Sequence, residues 1–262
     1  MYKNLKYVVS VALMLLMIAD SKAQIDPGKK NLTHSWTFND TTTNDYVGGA
    51  NGTLMGGAYL SDGSLFTDNS GSWMEMPAEK IAMNTYKAVT IEMWFVPLAS
   101  GNTGYTMLAY FGSTMNTFGV DGYFICAARG NDLSRAAISC GVYTNPWTGE
   151  SGADGPEYDD GELHHMVSTL DTANITLYID GVLQASSPLD TNNSIARISP
   201  TYAYLAKGGY ENDAEWLGEI LEFNIYNKAL DTAEVLFLFN KGASTTGVQN
   251  EIAGLPKEYR LL

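Results

Sequence analysis

Between residues 31 and 228 the chain reads as a succession of short strands punctuated by Gly, Asn, Asp and Ser, the clearest of them alternating apolar and polar residues. No helical spacer separates them. VTIEMWFVP is the clearest: Val89, Ile91, Met93 and Phe95 fall on one side, Thr90, Glu92 and Trp94 on the other. HSWTF alternates as well, and YTMLAYFG, YFICAA, AAISCGVY, LHHMVSTLD, ITLYIDGVLQAS, TYAYLAKGG and EWLGEILEFNIYN read as further short strands. Many short strands at near-regular spacing indicate an all-β, two-sheet antiparallel sandwich. Asp180-Gly181, between apolar runs, is a two-residue hairpin signal. One short C-terminal helix is expected after Asp231-Thr-Ala-Glu234, a capping-box spacing, with Gly242 where a helix-ending glycine belongs. There is no internal repeat.

Composition supports a packed core. Hydrophobic residues make up 45% and charged residues 17% of 262 positions, the opposite of a disordered chain. That length holds one large all-β domain or two ordinary ones, with core enough to stand without disulfides. Lys and Arg total 15 against 29 for Asp and Glu, a net charge of −14. Nucleic acid is thereby excluded as a partner, because its binding relies on Lys and Arg displacing phosphate counterions.

Residues 1–23 resemble an address more than structure. Lys3 and Lys6 precede the apolar run from Tyr7 to Ala19, and Ser21-Lys22-Ala23 offers a small-residue cut before Gln24. This is the pattern of a secretory signal peptide, too short for a spanning helix, and no membrane insertion is expected. Export permits a disulfide, and Cys126 and Cys140 flank a predicted hairpin. A cross-strand bridge and two thiols filling the core both stay open.

Several segments in order resemble the laminin-G-like, concanavalin A-like jelly-roll family of secreted bacterial proteins. His34-Ser-Trp36-Thr-Phe38-Asn-Asp40, with Asn44-Asp45 and Asn51-Gly52-Thr53, is similar to its first strand and following loop. Val89-Thr-Ile-Glu92-Met-Trp94-Phe95 is similar to its "sfTiefWfk" strand, and Leu163-His164-His165-Met166-Val167 to "WHHVA" with Leu163 for Trp. Leu177-Tyr-Ile-Asp180-Gly181 resembles "LYvDG", and the run from Gly218 to Glu234 resembles "GxIdevriYnraLsaaEi". The resemblance implies a jelly roll over residues 31–243, after a 24–30 lead-in, closed by its first and last strands. Residues 244–262 then form a linker, where Leu255-Pro-Lys-Glu-Tyr259-Arg-Leu-Leu262 resembles the lead-in to a type IX sorting domain of Bacteroidetes-like bacteria, either a truncated start of that domain or an accidental likeness. Both ends imply a secreted, extracellular or cell-surface location.

Fold does not choose an activity. Laminarinase-type glycosidases of this fold carry an E-I-D-x-x-E strand. Here Glu219 and Glu222 are three apart, so a regular strand points them to opposite faces, and the middle Asp is missing. His164 and His165 are adjacent, cannot share a metal from one strand, and are read as hydrogen-bonded strand residues; His34 stands alone. No catalytic residues are therefore assigned. The candidate cofactor is one structural Ca2+, held by Asn39, Asp40, Asp45 and Glu222 where the first loop meets the last strand, as family members often hold one. Turn-making by the same Asn and Asp residues is the alternative.

The longest irregular stretch, residues 143–160, supplies the candidate glycan ligands: Trp147, Tyr143, Tyr158, Asn145 and Asp154. Aromatic rings would stack on sugar faces while the polar groups hydrogen-bond hydroxyls; Trp147 folded back as a lid on the core is the alternative. Tyr105, Tyr110 and Tyr210 are weaker candidates, and Trp36, Trp94 and Trp216 are assigned to the core. The expected function is a secreted, non-catalytic carbohydrate-binding or adhesion module for a glycan or cell-surface polymer, within a larger secreted assembly. A glycoside hydrolase or polysaccharide lyase, and a structural or protein-binding module, are the alternatives.

Overall fold

A computed structural model describes residues 24–244 apart from 69–70, 100, 103, 114–120, 127, 130–132, 142–145 and 211–212. The predicted signal peptide and the C-terminal tail lie outside the described residues. Two antiparallel sheets face each other. The first runs β15 (Val182–Pro188), β14 (Asn174–Ile179), β13 (His164–Leu170), β6 (Val89–Pro97), β17 (Gly218–Tyr226), β4 (Ser64–Thr67) and β3 (Tyr59–Ser61). β1 (Leu32–Trp36) pairs with the same edge of β17 as β4 does, further along the strand. The second sheet runs β12 (Ser151–Pro156), β11 (Leu133–Cys140), β9 (Asp121–Cys126), β8 (Ala109–Gly112), β16 (Tyr202–Leu205), β5 (Trp73–Glu75) and β2 (Thr53–Met55). β7 (Tyr105–Thr106) and β10 (Ala128–Arg129) form a small ribbon.

The period-2 pattern decides which face packs inward. Val89, Ile91, Met93 and Phe95 of β6 are fully buried between the sheets, as are Ile220, Phe223 and Ile225 of β17. First and last strands close the sandwich: Trp36 pairs with Phe223 and their rings lie 5.6 Å apart. Phe223 also stacks across the core on Phe111 of β8, at 6.3 Å. Trp36 and Trp216 belong to this core, as expected. Trp94 does not: it points to the outer face of the first sheet and stacks on Phe239 of the C-terminal helix, 5.9 Å away. It is buried all the same, because that helix covers it.

The local signals resolve as read. Asp180 and Gly181 both take positive φ, 50° and 73°, the mirror-image turn whose twist suits a hairpin. α1 (Ala78–Ile81) is a single turn. α2 (Thr232–Lys241) starts at a complete capping box, with Asp231 accepting from the Ala233 and Glu234 N–H groups and Glu234 accepting from that of Asp231. Gly242 ends it, its N–H reaching Leu238 and Phe239. Asp231→Ala should cost about 1 kcal/mol, read as a lowered urea midpoint with unchanged slope.

Two expectations need correction. The stretch 143–160 is not all loop: Ser151–Pro156 is the edge strand of the second sheet, paired with β11 from Leu133 to Ile138. The cysteines are not opposite each other. In the β9–β11 register Cys126 faces Arg135 and Cys140 faces Asp121, at opposite ends of the pairing, and both are buried with no bridge between them. Cys140 belongs to the main core and Cys126 to the outer face of the second sheet. Denatured without reductant, the protein should titrate two thiols, and dithiothreitol should leave its melting temperature unchanged.

Candidate functional site

The outer face of the second sheet is an aromatic row. Register places Glu75, Tyr204, Tyr110, Phe124, Ala137 and Gly152 side by side across six strands. Tyr204 stacks on Tyr110 at 6.4 Å, and Tyr202, two residues earlier on β16, stacks on Tyr204 at 5.7 Å. Tyr110 lies down on the sheet and donates to the Asp121 carbonyl at 3.0 Å. Gly122 makes that possible, because a Cβ there would stand 2.8 Å from the ring. Tyr210 caps Phe124 edge-on at 6.3 Å. Tyr110, Phe124 and Tyr204 are buried by this crowding, whereas Trp73, Tyr202 and Tyr210 remain half-exposed.

Charged groups border the row. Arg135 binds Asp154 at 2.7 Å and Glu150 at 3.2 Å, its guanidinium lying across Gly152, where a Cβ would meet Cζ at 2.4 Å. Lys207 sits 3.9 Å above the Trp73 ring and 3.5 Å from Glu215. Burial, and then the Glu150 charge, push the Asp213 carboxyl up to about 7. Burial, and then Glu75, push the Tyr204 phenol up to about 12. Such a face can stack rings and exchange hydrogen bonds with hydroxyls.

Of the glycan ligands expected from sequence, Asp154 lies on this face. Tyr143, Asn145 and the side chain of Trp147 lie outside the described residues, although the 3-10 turn Pro146–Gly149 runs directly into the edge strand. Tyr158 lies elsewhere, edge-on to His164 at 4.6 Å and packed against the core. Tyr110 and Tyr210 join the row; Tyr105 is exposed on the small ribbon. Trp73 and Tyr202 were missed. Tyr202 lies within a run that reads as a plain strand and Trp73 in a segment to which the sequence assigns no element, and only the cross-strand register brings them together.

The four expected calcium ligands are divided. Asp45 accepts from the backbone N–H groups of Ser35, Val47, Gly48 and Ala50 and lies 2.6 Å from His34 Nδ1. Burial pushes its pKa up, but His34 and these donors outweigh it and hold the carboxyl far below the usual range. Asp40 accepts from Thr42. Asn39 donates to the Ser244 carbonyl, and Glu222 accepts from the Ser244 N–H. Among the described residues no three His, Cys, Asp or Glu side chains gather as metal ligands do.

The histidines separate as strand geometry requires. His164, on the core side, lies 2.9 Å from Asp180 and 3.1 Å from Asp160. Burial works against its charge, yet the two carboxylates outweigh that and raise its pKa. His165, on the outer side of the first sheet, lies 3.1 Å from Glu92. The reading of Glu219 and Glu222 is corrected here: a bulge between Ile220 and Glu222 shifts the register, so Glu219 faces Val96 and Glu222 faces Trp94. Both therefore point to the outer face of the first sheet, on the opposite side of the sandwich from the aromatic row.

A family model described as Concanavalin A-like lectin/glucanases superfamily matches residues 67–236. No curated protein sequence matches the chain. Among solved structures, domain 4 of AbnA, a GH43 extracellular arabinanase from Geobacillus stearothermophilus in complex with arabinotriose, is similar at a TM-score of 0.61 and 16% identity, covering 79% of this chain and 97% of that one. The binding domain of Botulinum neurotoxin DC in complex with rat synaptotagmin II is similar at 0.60 and 16%, covering 81% of this chain and 52% of that one. The CBM40 of a Ruminococcus gnavus IT-sialidase, bound to alpha2,3 sialyllactose, is similar at 0.53 and 12%, covering 66% and 94%. The chain spans about half the length of the toxin binding domain, and at these identities the likeness is one of fold.

Proposed function

Because the chain belongs to the concanavalin A-like lectin/glucanases superfamily, we propose that it is an exported glycan-binding module that holds its ligand on the outer face of the second sheet. The observation that carries this reading is the Trp73–Tyr202–Tyr204–Tyr110–Tyr210 surface with Arg135 and five carboxylates at its border. Solved structures of the same fold with arabinotriose or sialyllactose bound support a carbohydrate ligand. Acids outnumber bases here: Glu75, Glu150, Asp154, Asp213 and Glu215 face Arg135 and Lys207, and both bases already pair with acids. A sialylated or uronic sugar would meet net repulsion, so the favoured ligand is neutral. The amino-terminal pattern supports export.

The test is a glycan array probed with the full chain, with and without chelator. Binding to neutral glycans is the expected result, and the chelator arm tests the expected calcium. Absence of binding across the array, together with capture of an envelope protein, would favour a structural module instead. One observation favours a hydrolase as the second reading: Asp213, raised to about 7 beside Glu150, has the shifted acidity a general acid needs. Release of shorter sugars from a bound oligosaccharide, lost in Asp213→Asn, would establish it.

A further inference from the structure

The other side of the sandwich carries a second feature, independent of the aromatic row. On the outer face of the first sheet, beside α2, lies a cavity of about 580 Å³. Its floor is polar and buried. Glu222, Asn224 and Tyr226 line it from β17 and Glu92 from β6. The side-chain amide of Asn224 donates to both acids, at 2.7 Å to Glu222 and 3.1 Å to Glu92. Two carboxylates thus stand one amide nitrogen apart on the buried floor of the cavity.

They are not equally provided for. Glu92 also accepts from the Tyr226 hydroxyl at 2.8 Å and lies 3.1 Å from His165. Burial pushes its pKa up, but these partners, His165 foremost, outweigh that and keep it ionised. Among the described residues Glu222 has the Asn224 amide and the Ser244 N–H as donors, both neutral. Asn224 is 3% exposed, and its Oδ1 has no hydrogen-bond partner among the described residues. A buried carbonyl oxygen left without a donor costs about 1–3 kcal/mol. The floor therefore lacks one thing, a compact cationic donor with several N–H groups.

The rest of the cavity narrows the choice. It is far larger than an ion needs, and lies in the range that small organic ligands occupy. Leu32, Leu238 and Val47 give it apolar walls. At its border Lys29 and Lys241 have no acid partner among the described residues, which disfavours a bare cation and favours a ligand carrying negative charge at its other end. We propose that this cavity binds a small zwitterion, an apolar amino acid or short peptide taken by its amino end. The ammonium sits on Glu222 and Asn224 Oδ1, the hydrocarbon lies against Leu32 and Leu238, and the carboxylate faces Lys29 and Lys241.

The test titrates the full chain with the dipeptide Leu-Leu, following the Ser244 backbone amide and the Asn224 side-chain amide by NMR. Saturable shifts of both are expected. N-acetyl-Leu-Leu, which keeps the carbon frame and loses the ammonium, should bind at least tenfold more weakly, and Leu-Leu-amide several-fold more weakly. Glu222→Gln should weaken Leu-Leu at least tenfold; its amide turns an N–H towards one of the two donors that the carboxylate accepts from, so affinity is read at a temperature where the melt shows the variant folded. Equal binding of the acetylated peptide, unchanged affinity in Glu222→Gln, or absence of saturation by Leu-Leu at millimolar concentration would overturn the proposal.

Discussion

Asp45→Ala is expected to destabilise the protein by about 3–5 kcal/mol, measured by urea unfolding at pH 7. The residue looks like an ordinary turn former, yet its side chain is wholly buried and ties one end of β1 to the loop that follows. Four backbone N–H groups, from Ser35, Val47, Gly48 and Ala50, converge on its two oxygens, with His34 beside them. Alanine would strand all four donors at once, and buried donors without acceptors cost the full desolvation of each group. The loss falls on β1, which closes the sandwich against β17, so it should be felt globally. Asparagine keeps one acceptor oxygen and should lie between parent and alanine. The acid limb gives an independent check. The Asp45 pKa is lowered on folding, so the unfolded chain takes up its proton first as pH falls. The stability it supplies is therefore complete above about pH 5 and lost progressively below. Parent and Asp45→Ala should converge in stability as the pH drops towards 2.

Much of the fold was legible because alternation and punctuation act locally. The inward set of β6, the Asp180-Gly181 turn and the capping box at Asp231 each follow from a few neighbouring residues. What failed was non-local or against propensity. Ser-Gly-Ala-Asp-Gly-Pro has almost no strand former, and it becomes β12 only because β11 offers an open edge to pair with. Cys126 and Cys140 flank the predicted hairpin as a cross-strand pair would, but the register that packing selects sets them at opposite ends. The bulge after Ile220 turns Glu222 to the face of Glu219, which no count along a regular strand reveals. The candidate site failed for the same reason. The loop signal points to Asp154 but not to Trp73 and Tyr202, whose neighbourhood exists only once the six strands of the row are laid in register.

That register sets the largest expected functional effect. If a sugar rests on the outer face of the second sheet, Tyr202 is its main contact. It is half-exposed, and Tyr204 behind it, itself stacked on Tyr110, holds its ring in place. A ring so braced loses little side-chain freedom on binding, which is what makes aromatic anchors dominate recognition. Tyr202→Ala should therefore lower affinity for a neutral oligosaccharide by roughly 30-fold, the equivalent of about 2 kcal/mol, in isothermal titration. Trp73→Ala should cost less alone, because Lys207 already covers one face of that ring, and the double variant should show no measurable binding. Tyr202→Phe keeps the ring and should retain most of the affinity, separating stacking from the hydroxyl. All four variants should melt close to the parent, since Tyr202 and Trp73 lie outside the main core. Full affinity in Tyr202→Ala with an intact melt would move the ligand off this sheet and back to the loops at its edge, beginning with the turn that carries Trp147.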